Sequence, residues 1–165
     1  MQFSYGIEGL DKLARNMGVV QADLEKEINK GLFACAQKVE AEAKKSIQGG
    51  KKTGHVYTHY FLTNKKTRQI FEAAKRNKPH QASAPGEAPA SDTGRLANSI
   101  SSYLNAGKNE SFVTAGRGTA LYAALLEFGT RKIKPRPFMF PALERSRDFI
   151  KNRLTEAMQR AINKK

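Results

Sequence analysis

Apolar residues recur at intervals of three and four positions along the first third of the chain, with charged residues between them. This spacing is typical of an amphipathic helix, and it predicts one over residues 21–47 that ends at Gly49 and Gly50. A shorter pattern with the same spacing occupies residues 9–17 and stops at Gly18. Because glycine commonly ends helices, two separate N-terminal helices are expected.

The strand signal is strongest in residues 55–62, which are rich in β-branched and aromatic side chains. A turn at residues 64–66 and a returning strand over residues 67–74 would complete a basic hairpin. The alternative for residues 68–75 is a helical turn, since that stretch also contains good helix formers. Residues 3–7 alternate weakly between apolar and polar side chains, and they predict one further short strand.

The middle of the chain predicts an irregular loop followed by a second hairpin. Residues 77–92 contain three prolines and a glycine, which break helix and strand ladder alike. Strands are expected over residues 96–104 and 111–115, with a turn between them at residues 107–109.

The last quarter of the chain joins a short helix to a long one through a basic loop. Residues 122–128 form a short apolar helical pattern that Gly129 ends. The loop that follows carries four basic residues and no acidic residue before position 137. Pro141 fits the first turn of a helix whose apolar stripe predicts a course to about residue 161.

These elements predict an α+β fold with N-terminal helices, an antiparallel sheet of about four strands and a long C-terminal helix. The length suggests a single domain over residues 1–165, from which a basic hairpin and loop project at about residues 50–92. No apolar run in the sequence is long enough to span a bilayer, so no membrane contact is expected.

The net charge of +14 is unevenly distributed along the chain. Residues 44–80 contain ten basic residues and one acidic residue, and residues 131–165 contain eleven basic and three acidic residues. This excess implies a negatively charged neighbour, such as nucleic acid or an acidic protein surface. The candidate contacts with DNA or an acidic partner are Lys51, Lys52, Lys65, Lys66 and Arg68, which lie near the aromatic residues Tyr57, Tyr60 and Phe61. The alternative is that these aromatic side chains belong to the core.

No arrangement of residues in the sequence predicts a catalytic site, a cofactor site or a metal site. His55, His59 and His80 lack metal-ligand spacing with acidic residues or with Cys35, which fits a buried thiol. Paired glutamates of the long helix lie two positions apart and point in different directions. The glycine-containing segments match neither a phosphate-binding loop nor a dinucleotide-binding loop. An enzyme is therefore not expected.

Two segments of the chain resemble a known protein family. The first, over residues 122–144, is YAALLEFGT followed by a basic loop and PRPFMFPALE. The second, over residues 80–100, is HQASAPGEAPASDTGRLANSI, in which a proline-rich loop leads to TG-x-L-x-x-SI. In this order they resemble the tail-completion, or neck, proteins of long-tailed bacteriophages, which are also described as minor tail or head–tail joining proteins. The stretch of residues 54–77, between the long helix and the proline-rich loop, is longer than the family pattern leads us to expect.

The resemblance implies a structural, non-enzymatic protein of the virion neck or tail, which is in the host cytoplasm during assembly. It implies a homo-oligomeric ring, a hexamer matching the tail symmetry, that binds other neck and tail proteins and has packaged DNA as a neighbour. The alternative function is a basic nucleic-acid-binding module. If such a ring forms, we expect the proline-rich loop and the basic loop to supply the subunit or partner contacts, which are Pro85, Gly86, Pro89, Thr130, Arg131, Lys132, Lys134, Arg136 and Phe138.

Most residues of the family pattern can also act as determinants of the fold. Phe128 and Phe138 are expected to pack the basic loop down against the body of the subunit. Glu127 is a candidate for an ion pair with Arg131 or Arg136 that would hold the same loop in place.

Overall fold

The computed structural model describes residues 10–64, 66–67, 69–118 and 120–163. It contains the helices α1 (Leu10–Gly49), α2 (Arg95–Asn98), α3 (Ala123–Phe128) and α4 (Met139–Asn163), the strands β1 (Val56–Thr63), β2 (Ile70–Gln81), β3 (Ser101–Asn105) and β4 (Glu110–Thr114), and a 3-10 turn at Ala106–Lys108. The predicted α+β class is confirmed. The strand predicted at residues 3–7 lies outside the described residues.

Helix α1 is one continuous helix of 40 residues. It runs through Gly18, so the predicted break at that glycine is wrong. A glycine inside a helix costs only about 1 kcal/mol relative to alanine, and α1 contains no proline that would end it. The predicted C-terminal end at Gly49 is confirmed. Within the described part of the chain, no helix has a stretch that is both long and apolar enough to cross a membrane.

Helices α1 and α4 pack against each other in antiparallel orientation. The contacts that show this direction are Gly31 with Ala157, the Cys35 thiol with the Ile150 carbonyl oxygen at 3.9 Å, and Glu42 with Arg145 at 3.7 Å. A Cβ atom added at Gly31 would lie 3.0 Å from the Cβ atom of Ala157. The small residues at these positions therefore allow a close approach of the two helix backbones.

The core lies between α1, the β3–β4 pair and the beginning of α4. Its buried members are Val39, Ala43, Ile47, Leu96, Ala97, Ile100, Ala120, Ala123, Phe138 and Ala142. Phe138 is only 1 % exposed, and it anchors the end of the basic loop in this core. The Ser111 hydroxyl on β4 donates a hydrogen bond to the Leu32 carbonyl oxygen of α1 at 2.9 Å. The hairpin and the helix are thus joined by a polar contact as well as by packing.

The four described strands are antiparallel, and they form two separate pairs, β1 with β2 and β3 with β4. The predicted turn between β3 and β4 is confirmed, and Asn109 adopts a left-handed conformation there with a φ of 51°. The returning strand of the basic hairpin is also confirmed, so the helical alternative over residues 68–75 is wrong.

Strand β2 runs through Pro79, so the irregular loop begins later than the predicted range of 77–92. The register explains how a strand accommodates this proline. The pairs Tyr57–His80 and His59–Lys75 leave one residue of β1 opposite four residues of β2. Pro79 falls within this bulge, where the ladder does not require a backbone N–H group.

The strand predicted over residues 96–104 begins only at Ser101, because α2 precedes it. Gly94 has a φ of 75°, a left-handed conformation that glycine adopts without strain. The turn that it allows brings Leu96 into the core. The burial of Leu96 therefore favours a helical turn over the strand that the sequence pattern predicts.

We expect substitution of Gly31 by leucine to lower the free energy of unfolding by about 1–3 kcal/mol, because the added side chain would meet Ala157. Urea denaturation measures this change. Gly49→Leu is the matched control, because no atom lies within 4 Å of a Cβ atom built at Gly49. Equal destabilisation by the two substitutions would contradict the close α1–α4 contact.

Candidate binding surface

The proline-rich loop (residues 82–92) and the basic loop (residues 129–137) lie side by side. The Gly86 N–H group donates to the Pro135 carbonyl oxygen at 3.0 Å. The Arg136 Nε atom donates to the Ser83 carbonyl oxygen at 3.2 Å. These bonds connect the two segments that carry the family resemblance, and we call the result the joined-loop surface.

The basic loop is held by its own backbone. Gly129 has a φ of 75°, and a Cβ atom there would lie 2.8 Å from the Ile133 carbonyl oxygen. The Thr130 N–H group donates to the same oxygen at 2.8 Å, and the Thr130 hydroxyl accepts from the Ile133 N–H group at 3.0 Å. The Arg136 N–H group donates to the Leu126 carbonyl oxygen at 2.7 Å. The loop is therefore a tight turn that only glycine at position 129 allows.

Glu127 holds the two ends of the basic loop together. Its carboxylate accepts hydrogen bonds from the backbone N–H groups of Phe138, Met139 and Phe140 at 2.8–3.0 Å. These groups lie at the N-terminus of α4, where N–H groups lack partners within the helix and the helix dipole favours a negative charge. The expected ion pairs of Glu127 with the loop arginines are therefore wrong, since its oxygens bind the helix N-terminus instead.

The proline-rich loop is fastened to the chain that follows α1. Glu87 accepts hydrogen bonds from the Thr53 hydroxyl at 2.6 Å, the Thr53 N–H group at 2.9 Å and the Ala84 N–H group at 2.9 Å. The Thr53 hydroxyl is the largest cause that holds the pKa of Glu87 below its usual value. The Glu87 carboxylate thus accepts its hydrogen bonds from donors of its own subunit.

Lys52 has a structural role on the same side of the loop. Its ammonium group donates to the carbonyl oxygens of Ala88 at 3.0 Å, Pro89 at 2.9 Å and Ser46 at 3.3 Å. Burial lowers the pKa of Lys52. This lysine, a candidate contact with DNA or an acidic partner, instead connects the end of α1 to the proline-rich loop.

The basic hairpin is attached to the proline-rich loop at its base. Arg76 donates two hydrogen bonds to the Asp92 carboxylate, at 2.7 and 2.8 Å, and its side chain is only 11 % exposed. His80 lies 3.8 Å from the same carboxylate. The Gly54 N–H group donates to the Ala82 carbonyl oxygen at 2.9 Å, which extends the strand ladder. The hydrogen bond from Arg76 lowers the pKa of Asp92.

The structure places the predicted contact residues in two groups. Those at the surface are Pro85, Gly86, Thr130, Arg131, Lys132 and Lys134. Pro89 and Phe138 are buried in their own subunit, and Arg136 is half-buried. On the hairpin side, Lys51 and Lys66 are exposed, whereas Lys65 and Arg68 lie outside the described residues.

The basic loop carries cations that are free of ion pairs with the described residues, in contrast to the arginines of α4. Four arginines of α4 are paired, namely Arg145 with Glu42, Arg147 with Glu144, and Arg153 and Arg160 with Glu156. Among the described residues, no carboxylate lies within 4.0 Å of Arg131, Lys132 or Lys134. These three exposed cations therefore remain available to an external partner.

Sequence reasoning missed an exposed apolar ridge on α3 and the turn before it. Leu121 is 81 % exposed, Leu125 is 50 % exposed and Phe128 is 82 % exposed. The expectation that Phe128 packs the basic loop down is therefore wrong. The signal was present in the spacing, because these residues follow one another by four and three positions and share a helix face. An apolar spacing of this kind does not reveal whether its face is buried.

An apolar groove lies beside this ridge. It has a volume of about 490 Å³ and is lined by Leu32, Cys35, Ala36, Val39, Ser111, Val113, Glu127, Phe128, Met139, Phe140, Leu143, Ile150 and Leu154. Phe140 and Leu143 at its opening are exposed. Concave, mainly apolar surfaces of this size are common at binding sites.

Within the described part of the chain, no three histidine, cysteine or acidic residues come together in a way that could hold a metal ion. Cys35 is buried, as expected, and burial raises the pKa of its thiol. Its environment therefore favours the uncharged thiol.

The chain has no significant match among protein-family models, curated proteins or solved structures. The resemblance to phage neck proteins therefore rests on the two sequence segments that form the joined-loop surface.

We expect Glu127→Ala to lower the free energy of unfolding by about 1–3 kcal/mol, because three N–H groups at the start of α4 would lose a charged acceptor. Glu144→Ala is the control, since this glutamate lies within α4 itself and forms only an exposed pair with Arg147. Denaturant unfolding of both variants measures the difference. Similar effects of the two substitutions would show that Glu127 does not cap the helix.

We expect Asp92→Asn to reduce the hydrogen-exchange protection of β2 at pH 7 by about fivefold, the equivalent of about 1 kcal/mol, because Arg76 would lose its charged acceptor. The pKa of Asp92 is depressed in the folded state. Its stabilising effect is thus complete above the ordinary aspartate pKa of about 3.9 and disappears as the pH falls through the lower folded value. Protection factors, which correct for the intrinsic exchange rate, should therefore converge in acid.

The control for this measurement is Asp148→Asn, which removes an exposed carboxylate on α4. It should leave the protection of β2 unchanged at both pH values. A difference between wild type and Asp92→Asn that persists at low pH would contradict the role of the charged pair.

Proposed function

We propose that this chain is a structural bacteriophage neck protein that completes the tail or joins it to the head, as a non-catalytic subunit of a ring. The observation that carries the proposal is the union of the two family-like segments in one surface. They lie far apart in the sequence, yet Gly86 bonds to Pro135 and Arg136 bonds to Ser83. A shared surface is what two recurring segments of an assembly protein would be expected to form.

The joined-loop surface has properties that suit contact between subunits. Its backbone is held in place by hydrogen bonds, so little conformational entropy is lost on binding. Its exposed cations have no carboxylate partner within 4.0 Å among the described residues. A contact between this surface and a different surface of the next copy is heterologous and closes into a ring when the rotation fits. A hexamer would match the symmetry of a tail.

The net charge of +14 affects the conditions under which such a ring forms. Like charges oppose self-association of the free protein. We therefore propose that copies remain separate in the host cytoplasm and assemble only with other neck and tail proteins, or with packaged DNA as a neighbour. The site of the assembled ring would be the virion neck or tail.

The second candidate is a basic nucleic-acid-binding module. Lys66, Lys75 and Lys78 of the hairpin are exposed, and Tyr57 on β1 is partly exposed. Such a surface would attract phosphate groups without regard to base sequence. Salt dependence separates the two functions. A DNA-binding module that contacts about six phosphates should lose about a thousandfold in affinity between 50 and 200 mM salt.

The expected result is that a variant with Arg131, Lys132 and Lys134 changed to serine folds normally but leaves heads and tails unjoined. The test is complementation of a phage that lacks its own copy, with electron microscopy of the particles. The matched control changes Lys66, Lys75 and Lys78 to serine, which removes the same charge from the hairpin.

Two outcomes would contradict the proposed function. One is a stable two-fold dimer of the purified protein, seen by cross-linking and sedimentation, because an isologous pair uses the same patch twice and does not propagate into a ring. The other is tight, salt-sensitive binding to duplex DNA that the hairpin variant alone abolishes. The second result would favour the nucleic-acid-binding module.

A further inference from the structure

The apolar groove is formed by three layers of the subunit. Helix α1 contributes Leu32 and Val39, β4 contributes Val113, and α4 contributes Leu143 and Leu154. Phe128 at the end of α3 lies at the margin and projects outward. The groove is therefore a concave apolar surface with an exposed aromatic edge, a shape that suits the apolar face of an amphipathic segment.

Helix α4 presents two exposed basic residues next to this groove, together with the exposed acidic residues Glu144 and Asp148. On α4, Arg147 follows Leu143 by one turn and Lys151 precedes Leu154 by one turn, and both are exposed. Arg147 is paired with Glu144, but both side chains are so exposed that the pair contributes little.

The lining itself contains one carboxylate, that of Glu127. Its oxygens accept three backbone hydrogen bonds at the start of α4, so it does not oppose an anionic ligand as a free carboxylate would. The basic loop, with its unpaired cations, begins directly after Phe128. The surroundings of the groove thus favour an occupant that is both apolar and acidic.

A second copy of this chain is a poor occupant of the groove. A second copy carries the same net charge of +14 and would be repelled.

We propose that the apolar groove binds an acidic amphipathic segment of another protein. Apolar side chains at helical spacing would fill the space between Val39, Leu143 and Leu154, while flanking carboxylates would face Lys151 and Arg147. This site is separate from the joined-loop surface, and its chemistry does not rest on the function proposed above.

The experiment uses a fluorescein-labelled synthetic peptide with leucine at helical spacing and glutamate at the remaining positions. Fluorescence anisotropy measures its affinity for the full chain. A scrambled peptide of the same composition controls for adhesion by charge alone, and a peptide with lysine in place of glutamate tests the sign of the charge. We expect binding of the glutamate peptide only.

Matched substitutions locate the site. Leu143→Ser and Phe128→Ser should each weaken the affinity by about tenfold, the loss expected for one buried apolar side chain. Leu62→Ser, at an exposed leucine of the hairpin, should leave the affinity unchanged. Lys151→Glu should weaken binding, whereas Lys75→Glu on the hairpin should not. Circular dichroism confirms that the variants are folded.

Four results would overturn the proposal: no binding of the glutamate peptide, equal binding of the scrambled peptide, stronger binding of the lysine peptide, or binding that Leu143→Ser leaves unchanged. Sedimentation provides a fifth. If the protein alone associates at high concentration and Phe128→Ser abolishes this association, the occupant of the groove is a second copy.

Discussion

The capping of α4 by Glu127 is the interaction on which the rest of the binding surface depends. It joins the end of α3 to the beginning of α4, and so it closes the basic loop at both ends. A carboxylate at a helix N-terminus satisfies unpaired N–H groups and interacts favourably with the helix dipole. Pro141, which follows within the first turn, has no N–H group that would need a partner. The burial of Phe138 in the core secures the same junction from the other side.

Only some of the charged side chains of the molecule are available to a partner. The body of the subunit neutralises much of its own charge, since the arginines of α4 pair with nearby glutamates and Arg76 is held by Asp92. The exposed cations of the basic loop have no such partners among the described residues. A single number for net charge therefore describes this protein poorly. The loop is a candidate for binding because three exposed cations without such partners in the described part of the chain lie within four residues of one another.

Several features of the site could be predicted from the sequence because they depend on neighbouring residues. Gly129 at the end of α3 and the exposed basic loop are examples, since glycine, proline and charge act locally. The role of Lys52 could not be predicted in this way, because its acceptors lie on the proline-rich loop. The exposure of Phe128 could not be predicted for a similar reason. An apolar residue at helical spacing fits the core and a binding surface equally well until its neighbours are known.

The sequence by itself determined the α+β class, most element positions and the segregation of charge, because periodicity and turn residues act over a few positions. Only the tertiary structure decided that α1 is continuous through Gly18, that the two loops form one surface, and that Glu127 binds a helix N-terminus. The last two outcomes depend on backbone groups that come together only when the chain folds. Hydrogen-bond partners separated by tens of residues leave no periodic trace in the chain, so local patterns contain no record of them.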